Sequence, residues 1–208
     1  MKLGHHGARP AAFERPARRG RLGGAAGAAL VELAFVALFI ATISAGAYDY
    51  GMAYREALAV NEAARTGVRT GSALGTNWQA DYYALSGAKA ALAASNKLGG
   101  VQRVVIYKST TEDGNPPAEC TTAISSTLAC NMITGQQFRD MTLSNFNTTT
   151  GCFTDATIKN WCPSSRNNIQ LTADYYGIWI QTKYSHLFKV VNPSTTINRD
   201  AVMRLEPV

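Results

Sequence analysis

Residues 28–47, AALVELAFVALFIATISAGA, constrain this chain more than any other stretch. They form an unbroken apolar run in which the only ionisable side chain is Glu32. A hydrocarbon core about 30 Å thick needs roughly 20 such residues to be crossed as a helix. The run has no proline and is rich in Ala and Leu, so helix is its local preference. A carboxylate in such a segment is tolerated when it has a partner, and it marks function more often than accident. The bland alternative is a Glu lying at the membrane interface, where its cost is small.

The flank before the run sets an orientation. Lys2, Arg9, Arg15, Arg18, Arg19 and Arg21 stand against Glu14, so residues 1–27 hold +5 of the chain's net +6. Residues 28–208 are left near neutrality, which removes the case for a nucleic-acid partner. A basic block followed at once by an apolar run reads as the cytoplasmic side of a membrane helix, with the rest of the chain exported. The same pattern has the shape of a secretory signal, because Ala45-Gly46-Ala47 is an A-x-A pattern. The alternative is therefore a secreted or tethered extracytoplasmic binding protein cut after Ala47. Glu32 discriminates, since a signal-peptide core normally lacks charge. Arg18-Arg19 has the look of a twin-arginine export signal, but "GRL" is a poor continuation.

The cysteines agree with export. Cys120, Cys130, Cys152 and Cys162 are an even set with two equal gaps. In an exported domain they read as disulfides. Three pairings are open; the short loops Cys120–Cys130 and Cys152–Cys162 are favoured because each isolates its own segment. No Cys-x-x-Cys pair and no nearby His supports a metal.

Along the chain, nothing stops a helix from about Ala28 to about Thr70. Beyond the apolar run it turns amphipathic, with Ala53, Ala57, Val60, Ala64 and Val68 on one stripe and Arg55, Glu62, Arg65 and Arg69 roughly opposite. Leu58 falls on the charged side. Gly46 and Gly51 are candidate bends; Gly67, Gly71 and Gly75 are where the helix is expected to fray and end. A second helix is expected over about Asp81–Lys97, closed by Gly99-Gly100. "VQRVVIYKS" at 101–109 reads as a strand. Residues 110–170 are rich in Thr, Asn, Ser, Gly and Pro and read as long loops with short elements, stapled by the cysteines. Two strands close the chain, one in "YGIWIQTKYSHLF" and one in "TTINRDAVMRLEPV", with Pro193 in the turn between them.

The catalytic inventory is thin. Of three histidines, His5 and His6 lie in the basic leader, and His186 reads as a solvent-exposed strand residue. There is no phosphate loop, no metal-spaced cluster and no Gly-x-Ser-x-Gly elbow. Catalytic, cofactor and metal residues are thus expected to be none. A surface hydrolase on a helical tether lacks the constellation it would need.

Gly27, four uncharged residues, Glu32 and an apolar helix, all behind a basic leader, resemble the processing site of type IV prepilins. "AALVELAFV", "NEAARTGVR" (Asn61–Arg69) and the terminal "AVMRLEPV" resemble the TadE-like pseudopilins of the tight-adherence (Tad) pilus system. "PPAEC", "ACN" and "WCP" are similar to cysteine-bearing members in high-GC Gram-positive bacteria. The resemblance is strong over residues 20–70 and the last ten, and looser between. It implies that a membrane-embedded prepilin peptidase cuts between Gly27 and Ala28, leaving Glu32 as the fifth residue of the mature chain. Glu32, four residues after Ala28, could then approach its own new amine or that of a neighbouring subunit and favour register during assembly.

The expected architecture is α+β and pilin-like: a leader (1–27), a transmembrane helix (28–48), its membrane-distal continuation (49–75) and an extracytoplasmic α+β domain (76–208). The expected role is that of a non-enzymatic minor pilin, single-pass in the cell membrane, with the N-terminus cytoplasmic. Its expected partners are other pilin-like subunits, the prepilin peptidase and membrane lipid.

Overall fold

The computed structural model describes residues 23–122, 127–158, 160–189 and 192–207, with side chains in the first helix from Gly27 onward. Residues 1–22 of the expected leader, including Arg18-Arg19, lie outside the described residues. The fold is α+β, with a long N-terminal helix, a small antiparallel sheet and two disulfides. The chain divides into two compact units, Met1–Ile43 and Ser44–Val208. The helix α1 (Gly23–Leu74) contributes residues to both.

In the first unit, the side chains of α1 from Leu30 to Ile43 are exposed throughout. This helix is long and apolar enough to cross a membrane, and none of the residues in its most apolar 18-residue window is buried.

In the second unit, α1 buries the stripe Ala57, Val60, Ala64 and Val68, with Ala53 half-buried, while Arg55, Leu58, Glu62, Arg65 and Arg69 stay exposed. The periodicity alone accounts for this, because residues three and four apart share a helix face. Gly67 and Gly71 do not fray. A Cβ on Gly67 would lie 2.9 Å from Ile178 Cδ1, and one on Gly71 would overlap the ring of Tyr176. These glycines let α1 approach the helix and strand packed on it. The helix ends at Leu74, where Gly75 takes φ +53° and its N–H bonds back to the carbonyl of Gly71 at 3.0 Å.

The second helix, α2 (Ala80–Ala94), stops earlier than its sequence suggests. Asn96 takes the left-handed conformation (φ 57°), so that Asn96 N–H reaches Ala93 O and Lys97 N–H reaches Leu92 O. That pair of bonds is a Schellman cap, made here by Asn rather than by the Gly99-Gly100 pair.

Four strands follow: β1 (Val101–Ser109), β2 (Cys130–Thr134), β3 (Tyr175–Ser185) and β4 (Ser194–Arg204). They form one antiparallel sheet in the order β2-β1-β3-β4. In the central register Val105 stands opposite Met132 on one side and Trp179 on the other. One face of the sheet (Val104, Ile106, Ile133, Tyr176, Ile178, Ile180) packs in a single core with Val60 and Val68 of α1 and Leu85 and Leu92 of α2. The opposite face carries a smaller cluster of Val105, Tyr107, Met132 and Trp179 with Cys120 and Cys130. Both faces are therefore covered at the centre, which is why β1 reads as a continuous apolar run.

The strand β2 lies inside the stretch expected to be loop. CNMIT carries Asn at its second position and lacks the β-branched alternation that marks a strand locally; pairing with β1 makes it one. It runs directly into α4 (Gly135–Asp140) through a capping box. Thr134 Oγ1 accepts from Gln137 N at 3.2 Å, and Thr134 N donates to Gln137 Oε1 at 2.9 Å. The short helix α3 (Ala118–Thr122) carries Cys120 to its bond with Cys130, and Cys152 is bonded to Cys162.

Candidate functional site

The residues singled out by sequence lie on the N-terminal part of α1. Gly27, Ala28 and Glu32 are all helical and exposed, and a Cβ on Gly27 would meet nothing within 4 Å. The scissile bond expected between Gly27 and Ala28 thus sits within a helical turn, which a peptidase would have to open. Glu32 is one turn beyond Ala28 and projects from an otherwise apolar surface that includes Leu30, Val31, Leu33 and Phe35. Further along, Thr42 satisfies its hydroxyl on Leu38 O at 2.8 Å, so it adds no free polar group to that surface.

The second unit holds two polar centres that the sequence reading did not find. The first surrounds Asp49, the first carboxylate after the apolar run. Asp49 is buried, and its Oδ1 and Oδ2 accept the N–H groups of Leu187 (2.9 Å) and Phe188 (3.1 Å). His186 lies beside it, with Nδ1 3.9 Å from Asp49 Oδ2 and Nε2 2.7 Å from Thr195 Oγ1. His186 is therefore a half-buried link in the β3–β4 connection, not a solvent-exposed strand residue. Two turns on, the buried Glu56 pairs with Lys97 at 3.2 Å.

The second centre is fully enclosed. Arg166 Nη2 donates to Asp81 Oδ1 at 2.7 Å and Oδ2 at 2.8 Å, and both side chains are wholly buried. Tyr176 Oη donates to Asp81 Oδ1 at 3.2 Å. Asn131 Nδ2 donates to Trp161 O at 2.8 Å, and Asn131 Oδ1 accepts from the backbone of Asn160 and Trp161. The guanidinium lies 4.5 Å from the Trp161 ring and 4.8 Å from the Tyr176 ring, two cation–π contacts that replace part of its lost hydration. Among the described residues, Arg166 Nε and Nη1 have no hydrogen-bond partner. Burial pushes the Asp81 carboxyl above its ordinary value, against the pull of Arg166 and the hydroxyl of Tyr176. Burial, then the charge of Asp81, pushes the Tyr176 phenol well up.

A perturbed carboxylate is a candidate catalytic group in a cleft. This one is closed off by α2, β2, β3 and the loop around Trp161, so it works as a clamp. It fastens the segment between Cys152 and Arg166 to the sheet. Two surface clefts lie elsewhere. One is lined by residues such as Gln137, Asp140 and Asp155, the other by Arg65, Arg69, Glu112 and Asp200. Among the described residues, no three His, Cys, Asp or Glu side chains are grouped to hold a metal ion.

The signals for these centres differ. The Thr134-x-x-Gln137 capping box was legible and would have placed α4. Asp49 was legible as the first charge after the run, though its bonding to Leu187 and Phe188 was not. The pairing of Asp81 with Arg166, 85 residues apart in sequence, has no local signal. Comparison with protein-family models, with curated proteins and with solved structures finds no match to this chain.

Proposed function

We propose that this protein is a membrane-anchored minor pilin, a TadE-like pseudopilin of the Tad type, that acts without enzymatic activity by packing its helix against other pilin-like subunits. The apolar part of α1 spans the membrane in this reading, with the N-terminus cytoplasmic and the disulfide-bonded α+β unit outside. The observation that carries it is the wholly unburied apolar window of α1 with a lone carboxylate near its start. Such a surface needs lipid or other helices around it, because water would leave the apolar side chains hydrated. Small residues in it, such as Ala28, Ala29 and Ala41, allow close helix approach. Glu32 is then the polar group that selects a partner, through the amine freed at Ala28 on its own chain or a neighbour's.

Replacement of Glu32 tests the proposal. An uncompensated charge deep in the bilayer costs about 2.5–3.5 kcal/mol on insertion scales, so Glu32→Leu inserts at least as well as the parent. A buried ion pair can specify register while adding little net stability, since desolvation offsets attraction. Glu32→Leu is therefore expected to leave expression, both disulfides and leader removal intact, while lowering surface pili and co-purification with other pilin-like subunits. Glu32→Asp is expected to fall between, because its shorter arm keeps the charge and loses reach. Parent-like pili and pull-downs for Glu32→Leu would refute a role in assembly.

A further inference from the structure

The connection between β3 and β4 has the opposite character to a loop tip in water. Exposed tips are usually built from Gly, Asn, Asp or Ser, and their backbone groups are hydrated. Here the tip presents Leu187 (67 % exposed), Phe188 (51 %) and Lys189 (exposed, φ 54°). Its backbone N–H groups at Leu187 and Phe188 are instead taken by the buried carboxylate of Asp49. Apolar side chains face outward while these two N–H groups are satisfied inward. That arrangement suits a medium poor in water, where an unsatisfied backbone group is costly.

The position of the tip identifies the medium. Asp49 is two residues past Ala47, the last residue of the apolar run. The ring of Phe188 meets that of Tyr48, the first residue past the run, edge-on at 5.9 Å between centroids. Tyr50, on the other side of the helix, is 76 % exposed. Tyrosines of this kind gather where a membrane helix leaves the hydrocarbon, with the ring in the acyl boundary and the hydroxyl among headgroups. Lys189 beside them has the reach to place its ammonium among phosphates while its stem lies on apolar surface.

We infer that the β3–β4 tip, through Leu187, Phe188 and Lys189, is a second membrane contact that inserts into the headgroup–acyl boundary of the phospholipid bilayer beside Tyr48. The contact rests on the reading of α1 as a membrane span. Asp49 ties the tip to the turn of helix that follows the apolar run.

The experiment uses the full chain in nanodiscs of three parts phosphatidylcholine to one part phosphatidylglycerol, with and without acyl chains brominated near the headgroup. Leu187→Trp and Phe188→Trp each add one indole at the tip, and the parent's Trp78, Trp161 and Trp179 supply the background. The added emission is expected to fall by about half in brominated discs, as for a side chain at the headgroup–acyl boundary, while the parent's emission is unchanged. Both variants failing to quench beyond the parent, in protein retained by the discs, overturns the tip contact and leaves the span intact. Emission that is blue-shifted yet indifferent to bromine places the tip against protein and also overturns it. Parent protein that is not retained in discs overturns the span, and this inference with it.

Discussion

At the scale of single residues, the largest energies concern Asp81 and Arg166. Each partner is wholly buried, so removing one leaves the other as an uncompensated charge. Asp81→Asn is expected to cost about 3–5 kcal/mol, read as a lowered free energy of chemical unfolding. The joint replacement Asp81→Leu with Arg166→Met is expected to cost less than Asp81→Asn, because it removes both desolvated charges together. A joint variant weaker than the single one would show that the pair supplies net attraction. Alkali probes different residues. Burial, then the charge of Asp200, raises the Tyr107 phenol above its ordinary value of 10.0, and Tyr176 is raised by burial and Asp81. The folded state thus keeps protons that the unfolded chain releases. The contribution of both phenols is complete below pH 10.0 and is lost as pH rises through the folded values. Unfolding free energies measured from about pH 8 to about pH 11 are expected to decline beyond the unfolded phenol value, by at most about 1.4 kcal/mol per unit for each phenol. Tyr107→Phe is expected to flatten that decline, and an unchanged slope would count against the assignment.

At the scale of elements, composition and packing compete most openly at the glycines of α1. Replacing a helical Gly by Ala favours the helix by about 1 kcal/mol when the methyl meets nothing. Gly51 is such a position. At Gly71 the methyl would overlap the Tyr176 ring, which is fully buried and holds Asp81, so it has nowhere to move. Overpacking of this kind costs about 1–3 kcal/mol, more than the helix gains. Gly71→Ala is therefore expected to lower the thermal midpoint of the second unit, while Gly51→Ala leaves it level or raises it. Equal behaviour of the two would mean that helix and sheet are not closely packed at that point. The sequence pattern reads these glycines as breaks because it registers flexibility and cannot see the strand that α1 approaches. For β2 the same blindness acts in reverse: its strand character comes from β1, not from its own five residues.

At the scale of the whole molecule, the second unit keeps an apolar core and two disulfides, whereas the described apolar side chains of the first unit, from Leu30 to Ile43, are exposed. That contrast motivates the processing prediction. With Gly27 and Glu32 in prepilin spacing behind a +5 flank, the mature chain is expected to begin at Ala28. N-terminal sequencing of membrane-extracted protein decides it. A start at Tyr48 would point to ordinary signal-peptide removal, and an intact leader would exclude both. The disulfide loops bear on the same unit. Each joins residues ten apart, so each constrains a short segment, Cys120–Cys130 on the outer face of the sheet and Cys152–Cys162 beside the clamp of Arg166.

What the sequence determined by itself is whatever a local period or composition can carry. The apolar run, the buried stripe of α1 from Ala57 to Val68, the strands β1, β3 and β4 and the α+β class all follow from spacings of two, three and four residues. Only the tertiary structure decided the rest. Asp81 finds Arg166, Asp49 finds the tip at Leu187 and Phe188, Asn131 finds Trp161, and Gly71 finds Tyr176, each across a separation that no local pattern spans. The reason is physical: a buried polar or close-packed group is specified by the partner that satisfies it, and that partner exists only once the chain has folded.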